Sequence, residues 1–258
     1  MTRTFGVELE FQEAEFTKVA KALGLLELSK PLKVSPRKFQ AMSRGESWHL
    51  KYDFSVCSTV GKILLGGELA SPAFLPTKQA FSEIRKCIKA IDNQNGTYDD
   101  DTGVHVHMDI DDIDRLKFIT LWLRMEKSIY RLFPNRRDRV YTKTLTKDVN
   151  KHSMLIHQLG AIFTKYDLSK VFGCKNDAFR FYERKKKNFL EIRVGGMSGE
   201  RYKITAWIKF CLQMIEATKM YKDSLSIMYY DDVVDFQTLD KKSCKELKLS
   251  KKEWDAVS

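Results

Sequence analysis

Two short stretches in which polar and apolar residues alternate constrain the fold of this chain most strongly. Residues 5–11 read Phe-Gly-Val-Glu-Leu-Glu-Phe, and residues 102–109 read Thr-Gly-Val-His-Val-His-Met-Asp. Because side chains alternate between the two faces of a strand, each stretch presents one apolar face to a core. The opposite faces carry side chains that bind divalent cations, namely Glu8, Glu10, His105 and His107. The sequence therefore predicts neighbouring strands whose polar faces form a metal site.

The rest of the chain predicts an α+β fold. Alternation predicts further strands at residues 48–56, 63–70, 177–182 and 188–194. Helical periodicity predicts helices at residues 14–23, 78–92, 112–133, 151–163 and 202–225, and residues 30–47 are predicted to form a long exposed loop. Strands with one apolar face, interspersed irregularly with helices, favour a mostly antiparallel sheet with helices packed on that face. Since no repeat or linker interrupts the pattern, residues 1–258 are expected to form a single domain.

Composition narrows the class of protein. The five cysteines are scattered and form no Cys-x-x-Cys pair, which favours a cytoplasmic protein with reduced thiols. No apolar run approaches the roughly 20 residues that span a bilayer, and the chain enters a strand at once, so neither a membrane segment nor a signal peptide is expected. The formal net charge of +11 favours an anionic partner, such as nucleotide phosphates, an acidic peptide or nucleic acid.

The acidic residues on the strands favour divalent metal chemistry. Two glutamates at positions i and i+2 of a strand have Cα atoms roughly 6.5–7 Å apart and repel each other unless a cation lies beside them. With Glu68 and Glu191 added, the site is rich in carboxylates and suits Mg²⁺ or Mn²⁺ bound to phosphate oxygens. A catalytic zinc site with two histidines and a glutamate is the alternative.

No phosphate-binding glycine loop occurs in the sequence. The pair Gly61-Lys62 lacks the other residues of a P-loop, and no Gly-x-Gly-x-x-Gly precedes a helix. If ATP binds, its phosphates would therefore be held by metal ions and by arginine and lysine side chains.

Several short motifs, taken in order, resemble the amidoligase family of bacteria and their phages, which is related to glutamine synthetase and glutamate–cysteine ligase. These motifs are Gly6-Val-Glu-Leu-Glu-Phe11, Asp53-Phe-Ser55, Gly66-Gly-Glu-Leu-Ala-Ser-Pro72, Thr102-Gly-Val-His-Val-His107, Arg139-Val-Tyr141 and Phe189-Leu-Glu-Ile-Arg193. The resemblance implies a glutamine-synthetase-like fold with a curved antiparallel sheet. It also implies an enzyme that uses ATP to phosphorylate a carboxylate, after which an amine attacks the acyl phosphate.

The resemblance further implies roles for individual residues. One metal, Mg²⁺ or Mn²⁺, would be held by Glu8, His105 and Glu191. A second would be held by Glu10 and Glu68, helped by Asp53. His107 would contact nucleotide phosphate, and Arg193 would offset charge on the phosphoryl group or acyl phosphate. The candidate catalytic residues are accordingly Asp53, Glu191 and Arg193. The basic residues Arg136, Arg137 and Arg139 would hold the carboxylate substrate or the phosphates, with a solvated basic loop as the alternative.

Two other functions stay open at this point. One is a catalytically silent descendant that binds nucleic acid through its basic loops, and the other is a metal-dependent hydrolase with the same carboxylates. Acidic residues kept within a basic protein argue against the first, because electrostatic binding of nucleic acid does not need them. Three basic segments favour a larger acidic acceptor substrate, because positive charge around a cleft attracts anionic partners. They are the loop from Lys30 to Arg44, the Arg136 to Arg139 tract and the turn at residues 185–187, which is longer than in the family that the chain resembles.

Overall fold

The computed structural model describes residues 3–25, 48–137, 142, 178–184 and 186–220. Its elements in chain order are β1 Phe5–Glu15, α1 Phe16–Ala22, β2 His49–Lys51, β3 Ser58–Val60, β4 Ile63–Ala70, α2 Lys78–Asp92, β5 Gly103–Asp109, α3 Arg115–Leu132, a 3-10 helix Pro134–Arg136, β6 Phe179–Arg184, β7 Lys187–Gly196 and α4 Arg201–Met220. The predicted loop at 30–47, the predicted helix at 151–163 and the chain beyond residue 220 lie outside the described residues.

The predicted fold class is confirmed. Among the described residues, seven strands form an open antiparallel sheet accompanied by helices, which is an α+β arrangement. The chain groups into two compact units: Met1–Val106 with Gly195–Thr205, and His107–Val194 with Ala206–Ser258. The expectation of one catalytic domain stays a prediction. None of the described helices has the length and apolar character that crossing a membrane requires.

In the first unit, strand register places apolar and charged residues on opposite faces. Neighbouring strands follow the order β2-β4-β1-β5, and β3 also pairs with β4. Leu69 of β4 pairs with Leu9 of β1 and with Leu50 of β2, and all three side chains are fully buried. Helix α2 covers this apolar side, where Phe81 stacks on Phe5 at 5.7 Å between ring centroids. Since successive side chains alternate, the residues next to these leucines face the other way.

In the second unit, the same alternation builds a hairpin with an apolar and a charged face. Strands follow the order β5-β7-β6, and Phe179 of β6 pairs with Ile192 of β7. Helix α3 packs on this face, where Phe118 and Trp122 lie 5.0 and 4.9 Å from Phe179 between ring centroids. One position along, Arg180 pairs with Glu191 on the opposite face.

The predictions for helices and strands agree with the structure at most positions. Helix α2 and strand β4 span the predicted residues 78–92 and 63–70. Helix α3 begins at Arg115 rather than residue 112 because Asp114 caps it, accepting the Lys117 N–H through its side chain at 3.2 Å.

The predicted strand at residues 48–56 is wrong beyond Lys51. The side chain of Asp53 accepts the N–H and the hydroxyl of Ser55, at 2.8 and 2.7 Å, and its carbonyl accepts the N–H of Cys57 at 2.8 Å. These groups are therefore used in a turn and cannot form a strand ladder. As a result Phe54, expected on a buried face, is 70% exposed.

The sequence prediction also missed the hairpin between β3 and β4. Val60 pairs with Ile63, so only Gly61 and Lys62 connect the strands. Gly61 has a φ of +63°, which glycine adopts readily in such tight turns. The Val-Gly-Lys-Ile sequence carries this signal, but β3 is short and exposed, which leaves no apolar pattern to detect.

Candidate functional site

A row of charged side chains crosses three neighbouring strands of the first unit. Strand β4 is the middle one of the three, and its Glu68 pairs with Glu10 of β1 on one side and with Lys51 of β2 on the other. Cross-strand partners lie on the same face, with Cβ atoms roughly 4.5–5.5 Å apart. Glu10 and Glu68 are buried, so their charges need compensation from nearby groups.

Lys51 supplies part of that compensation. Its Nζ donates to Glu68 Oε1 at 2.8 Å and to Glu8 Oε1 at 3.1 Å. Burial lowers the pKa of Lys51, but the charges of Glu8 and Glu68 outweigh this effect and hold the pKa above its ordinary value. Burial, and after it the Glu8 charge, raise the pKa of Glu68 to about 7, although Lys51 opposes both effects. Even with Lys51 present, the cluster therefore favours additional positive charge.

His105 of β5 lies between two glutamates of β1. Its Nδ1 is 3.3 Å from Glu8 Oε2, and its Nε2 is 3.5 Å from Glu10 Oε1. A neutral imidazole has only one N–H, so it can donate to only one of these carboxylates at a time. The other oxygen of Glu10 accepts the N–H of Gly103 at 2.5 Å, which fixes this carboxylate against β5. Glu10 and His105 are thus held firmly in place inside a buried acidic cluster.

Asp53 reaches the cluster from the turn after β2. Its carboxylate, oriented by Ser55 as described above, offers an oxygen within 4.8 Å of ligand atoms of Glu10 and Glu68. The sequence placed Asp53 on a strand face, but the turn brings it to the same glutamates.

The donor set fits a divalent cation. Ligand atoms of Glu8, Glu68 and His105 lie within 4.8 Å of one another, as do those of Glu10, Asp53 and Glu68. Four carboxylates, one imidazole and a lysine carry a clear excess of negative charge. Oxygen-rich ligands of this kind suit Mg²⁺ or Mn²⁺ better than zinc. The structure thus brings together the residues predicted for the second metal and two of those predicted for the first, while the identity of any ion stays a prediction.

In the second unit, Glu191 is enclosed by two arginines. One carboxylate oxygen contacts Nε of Arg180, and the other contacts a terminal nitrogen of Arg193. The Glu191 side chain has no exposed area, and the Arg193 side chain is 10% exposed. Guanidinium–carboxylate pairs of this kind fix both groups strongly. The sequence predicts that Glu191 binds a metal. In that case, the oxygens that contact Arg180 and Arg193 would have to bind the metal as well.

Arg136 joins the same region. It is buried in the 3-10 helix and donates to the carbonyl of Arg193 at 3.2 Å. Nε of Arg193 is buried and meets no acceptor among the described residues. Arg137 is exposed, and Arg139 lies outside the described residues. In the described part of this unit, the guanidinium groups of Arg136, Arg180 and Arg193 thus lie in the region of the Glu191 carboxylate and favour an anionic ligand.

His107 lies on β5 beside an aromatic pair of the hairpin. Its Nδ1 is 2.9 Å from the hydroxyl of Tyr182, whose ring stacks on Phe189 at 5.4 Å between centroids. The guanidinium carbon of Arg180 lies over the Tyr182 ring, at 5.3 Å from its centre. The predicted contact of His107 with nucleotide phosphate stays a prediction.

Sequence reasoning missed three residues of these clusters: Lys51, Arg180 and Tyr182. Each of them lies on the polar face of a strand that the sequence did predict. Lys51 precedes Asp53 by two residues, and Arg180 precedes Tyr182 by two, so alternation places each pair on one face. A search for metal ligands overlooked them because lysine, arginine and tyrosine are not typical ligands of magnesium.

Comparison with known proteins gives one family. A family model described as "Putative amidoligase enzyme" matches residues 1–215 of the 258 residues. A search of curated proteins returned no match.

Proposed function

The chain belongs to the amidoligase family, and on this premise we propose that it is an ATP- and Mg²⁺-dependent ligase that joins a carboxylate to an amine. The family suggests an amide-forming ligase; the cosubstrate, the metal and the route through an acyl phosphate are the proposal. We also propose that its antiparallel sheet is a glutamine-synthetase-like catalytic sheet.

One observation carries the proposal more than any other. Glu10 and Glu68 are paired across neighbouring strands, both are buried, and Asp53 lies within ligand distance of them. Such a set is electrostatically unfavourable without a cation, because burial penalises each charged carboxylate and the charges repel one another. When bound there, Mg²⁺ would supply positive charge to the oxygens of the transferred phosphoryl group.

The arginines of the second unit have a separate part in the proposal. Arg193 is held by Glu191, and Arg136 is held by the carbonyl of Arg193, so these guanidinium groups have fixed positions. Fixed positive charge acts best where negative charge develops during the reaction. Arg193 would therefore stabilise the phosphoryl group during transfer, and Arg136 would bind the carboxylate substrate or a phosphate.

The proposed reaction has two steps. A carboxylate oxygen of the substrate attacks the γ-phosphorus of ATP, the bond to the β-phosphate oxygen breaks, and ADP leaves. The nitrogen of the amine then attacks the acyl carbon, the bond to the phosphate oxygen breaks, and the nitrogen loses a proton. The products are an amide, ADP and inorganic phosphate.

Thermal unfolding with a non-hydrolysable ATP analogue tests whether nucleotide and metal bind together. We expect the analogue with Mg²⁺ to stabilise the protein strongly and either alone to do so weakly. A ligand at 100 times its Kd adds about 2.7 kcal/mol to the free energy of unfolding. The Glu10→Gln variant should lose this effect, whereas Glu13→Gln, an exposed change on the same strand, should keep it. Stabilisation by DNA but not by nucleotide would instead favour a silent nucleic-acid-binding protein.

A further inference from the structure

We infer that Lys51 is a counter-cation built into the carboxylate cluster, which takes the place of a divalent cation between Glu8 and Glu68 until the metal displaces it. The inference rests on the proposed function, in which divalent metal binds in this carboxylate cluster. It adds a residue that controls metal affinity at the group of Glu8, Glu68 and His105, next to the group of Glu10, Asp53 and Glu68. Neither the family match nor the sequence motifs assign a role to Lys51.

The contacts of Lys51 are those expected of a substitute cation. Its ammonium group contacts one oxygen of Glu8 and one of Glu68, at 3.1 and 2.8 Å. Ligand atoms of these same two glutamates lie within 4.8 Å of His105, in one of the groups suited to a metal ion. A cation bound by both glutamates would therefore come close to the position of the ammonium group, and the two positive charges would repel.

Strand register explains why the ammonium group lies there. Lys51 is paired directly with Glu68 across β2 and β4, so its side chain extends over the same face. Glu68 pairs in turn with Glu10 of β1, which places Lys51 at one end of the charged row. A lysine at this position is thus directed into the cluster by the backbone and not by a flexible loop.

Partial exposure gives Lys51 a route out of the cluster. Its side chain is 38% exposed, whereas those of Glu8 and Glu68 are 19% and 12% exposed. Lysine has a long, flexible stem and a strongly hydrated head, so it can move into solvent at small cost. The glutamates, by contrast, remain on strands of the sheet and stay available to a metal.

Displacement of this kind has two linked consequences. Lys51 stabilises the metal-free protein by offsetting carboxylate repulsion, and the metal has to break these contacts before it binds. The apparent affinity for metal is then lower than the carboxylates alone would give, because the competing contacts favour the metal-free state. Loss of the lysine should therefore weaken the metal-free fold and tighten metal binding at the same time.

Titration of the purified protein with MnCl₂ by calorimetry, together with thermal unfolding in EDTA, tests the inference. In Lys51→Met we expect a Kd for Mn²⁺ about tenfold lower than in the wild type, corresponding to about 1.4 kcal/mol, and a lower Tm in EDTA. Lys51→Arg keeps a cation that can pair with both carboxylates, so its Kd should stay near the wild-type value. Lys62→Met is the matched control, because it removes the same charge from an exposed turn.

The outcomes separate this inference from the function on which it rests. If the wild type binds Mn²⁺ and Lys51→Met binds it equally or more weakly, Lys51 does not compete with the metal and the inference is wrong. Equal tightening in Lys62→Met would assign the effect to net charge and overturn it as well. If no variant binds Mn²⁺, the metal site of the proposed function is itself wrong. Lys51→Gln allows the same comparison should Lys51→Met fail to fold.

Discussion

Glu68 and Glu191 are both buried glutamates, yet their surroundings act on them in opposite directions. Glu68 faces other carboxylates, and its burial raises its pKa to about 7 despite the contact with Lys51. Glu191 contacts two guanidinium groups, one on each oxygen. Removal of the Glu68 charge should therefore relieve repulsion between carboxylates. Removal of the Glu191 charge should instead leave two guanidinium groups without the carboxylate that compensates them.

The first prediction concerns Glu68→Gln in the metal-free protein. Since the pKa of Glu68 in the folded state lies above its ordinary value of 4.5, the stability it contributes is present in full below pH 4.5 and is lost as the pH rises through about 7. Between pH 5 and 8 the wild type should lose on the order of 1–3 kcal/mol relative to the variant. Urea unfolding in EDTA at both pH values measures this difference, and parallel pH profiles of the two proteins would contradict it.

The second prediction concerns Glu191→Gln. It should lower the free energy of unfolding by roughly 3 kcal/mol, because two guanidinium groups lose the buried carboxylate that compensates them. Urea unfolding measures the loss, and Glu183→Gln, an exposed change in the same hairpin, should cost very little. Adding Arg180→Met to the variant should restore part of the stability. A loss below about 0.5 kcal/mol, within the range of ordinary surface substitutions, would mean that these pairs do not stabilise the fold.

At the level of residues, the sequence predicted which side chains can bind a metal better than it predicted which residues contact those side chains. Alternation on β1 and β5 was enough to select Glu8, Glu10 and His105, because a strand fixes which side chains share a face. Lys51 and Arg180 were not selected, because their importance depends on which strands are neighbours. Strand order is set by the packing of the whole sheet and is not encoded in any one stretch.

Among the elements, the turn after β2 decides how Asp53 reaches the metal ligands. Strand β4 passes close to this turn at Gly66, which has a φ of +80°. A Cβ atom there would lie 2.5 Å from the carbonyl oxygen of Val56 and 2.9 Å from that of Phe11. Both obstacles are backbone atoms, so the strand and the turn can approach this closely only with glycine at this position.

The third prediction compares two glycines that share a positive φ. Gly61 also has a φ of +63°, but a Cβ atom there would meet nothing within 4 Å. Gly61→Ala should therefore cost only about 1 kcal/mol of backbone strain, whereas Gly66→Ala should cost about 3 kcal/mol or more because strain and clash add. Gly66→Ala should also weaken Mn²⁺ binding, since Val56 belongs to the turn that holds Asp53. Urea unfolding and Mn²⁺ titration check both statements; equal losses in the two variants would contradict them.

Elements with a clear apolar period were predictable, and those defined by local hydrogen bonds were not. Helix α2 has a regular buried stripe, and strand β4 is followed by Ser71-Pro72. The predicted bounds of both elements agree with the structure. The stretch at 48–56 keeps its alternation past Lys51, so the pattern alone continues the strand. The hydrogen bonds from Ser55 to Asp53 end it instead, and such local competition is invisible to periodicity.

At the scale of the whole molecule, the net charge of +11 leads to the fourth prediction. We expect that the acceptor substrate is acidic and is attracted by the basic turn at 185–187, where the described residues Lys186 and Lys187 are exposed. Replacing the three lysines by glutamine should raise KM for this substrate and flatten its salt dependence, with little change in ATP affinity. The matched control replaces Lys18, Lys21 and Lys62, which removes equal charge elsewhere. An equal effect of both triple changes would contradict a local role for the turn.

The measurement that tests the proposed reaction most directly follows oxygen atoms from the carboxylate into phosphate. The protein is incubated with ATP, Mg²⁺, hydroxylamine as a general amine, and pools of amino acids and acidic peptides labelled with ¹⁸O in their carboxylates. The proposal predicts hydroxamate products and inorganic phosphate that carries one ¹⁸O from the carboxylate, with both lost in Glu10→Gln and kept in Glu13→Gln. Phosphate that takes its new oxygen from water, without any hydroxamate, would contradict the proposal and indicate a metal-dependent hydrolase.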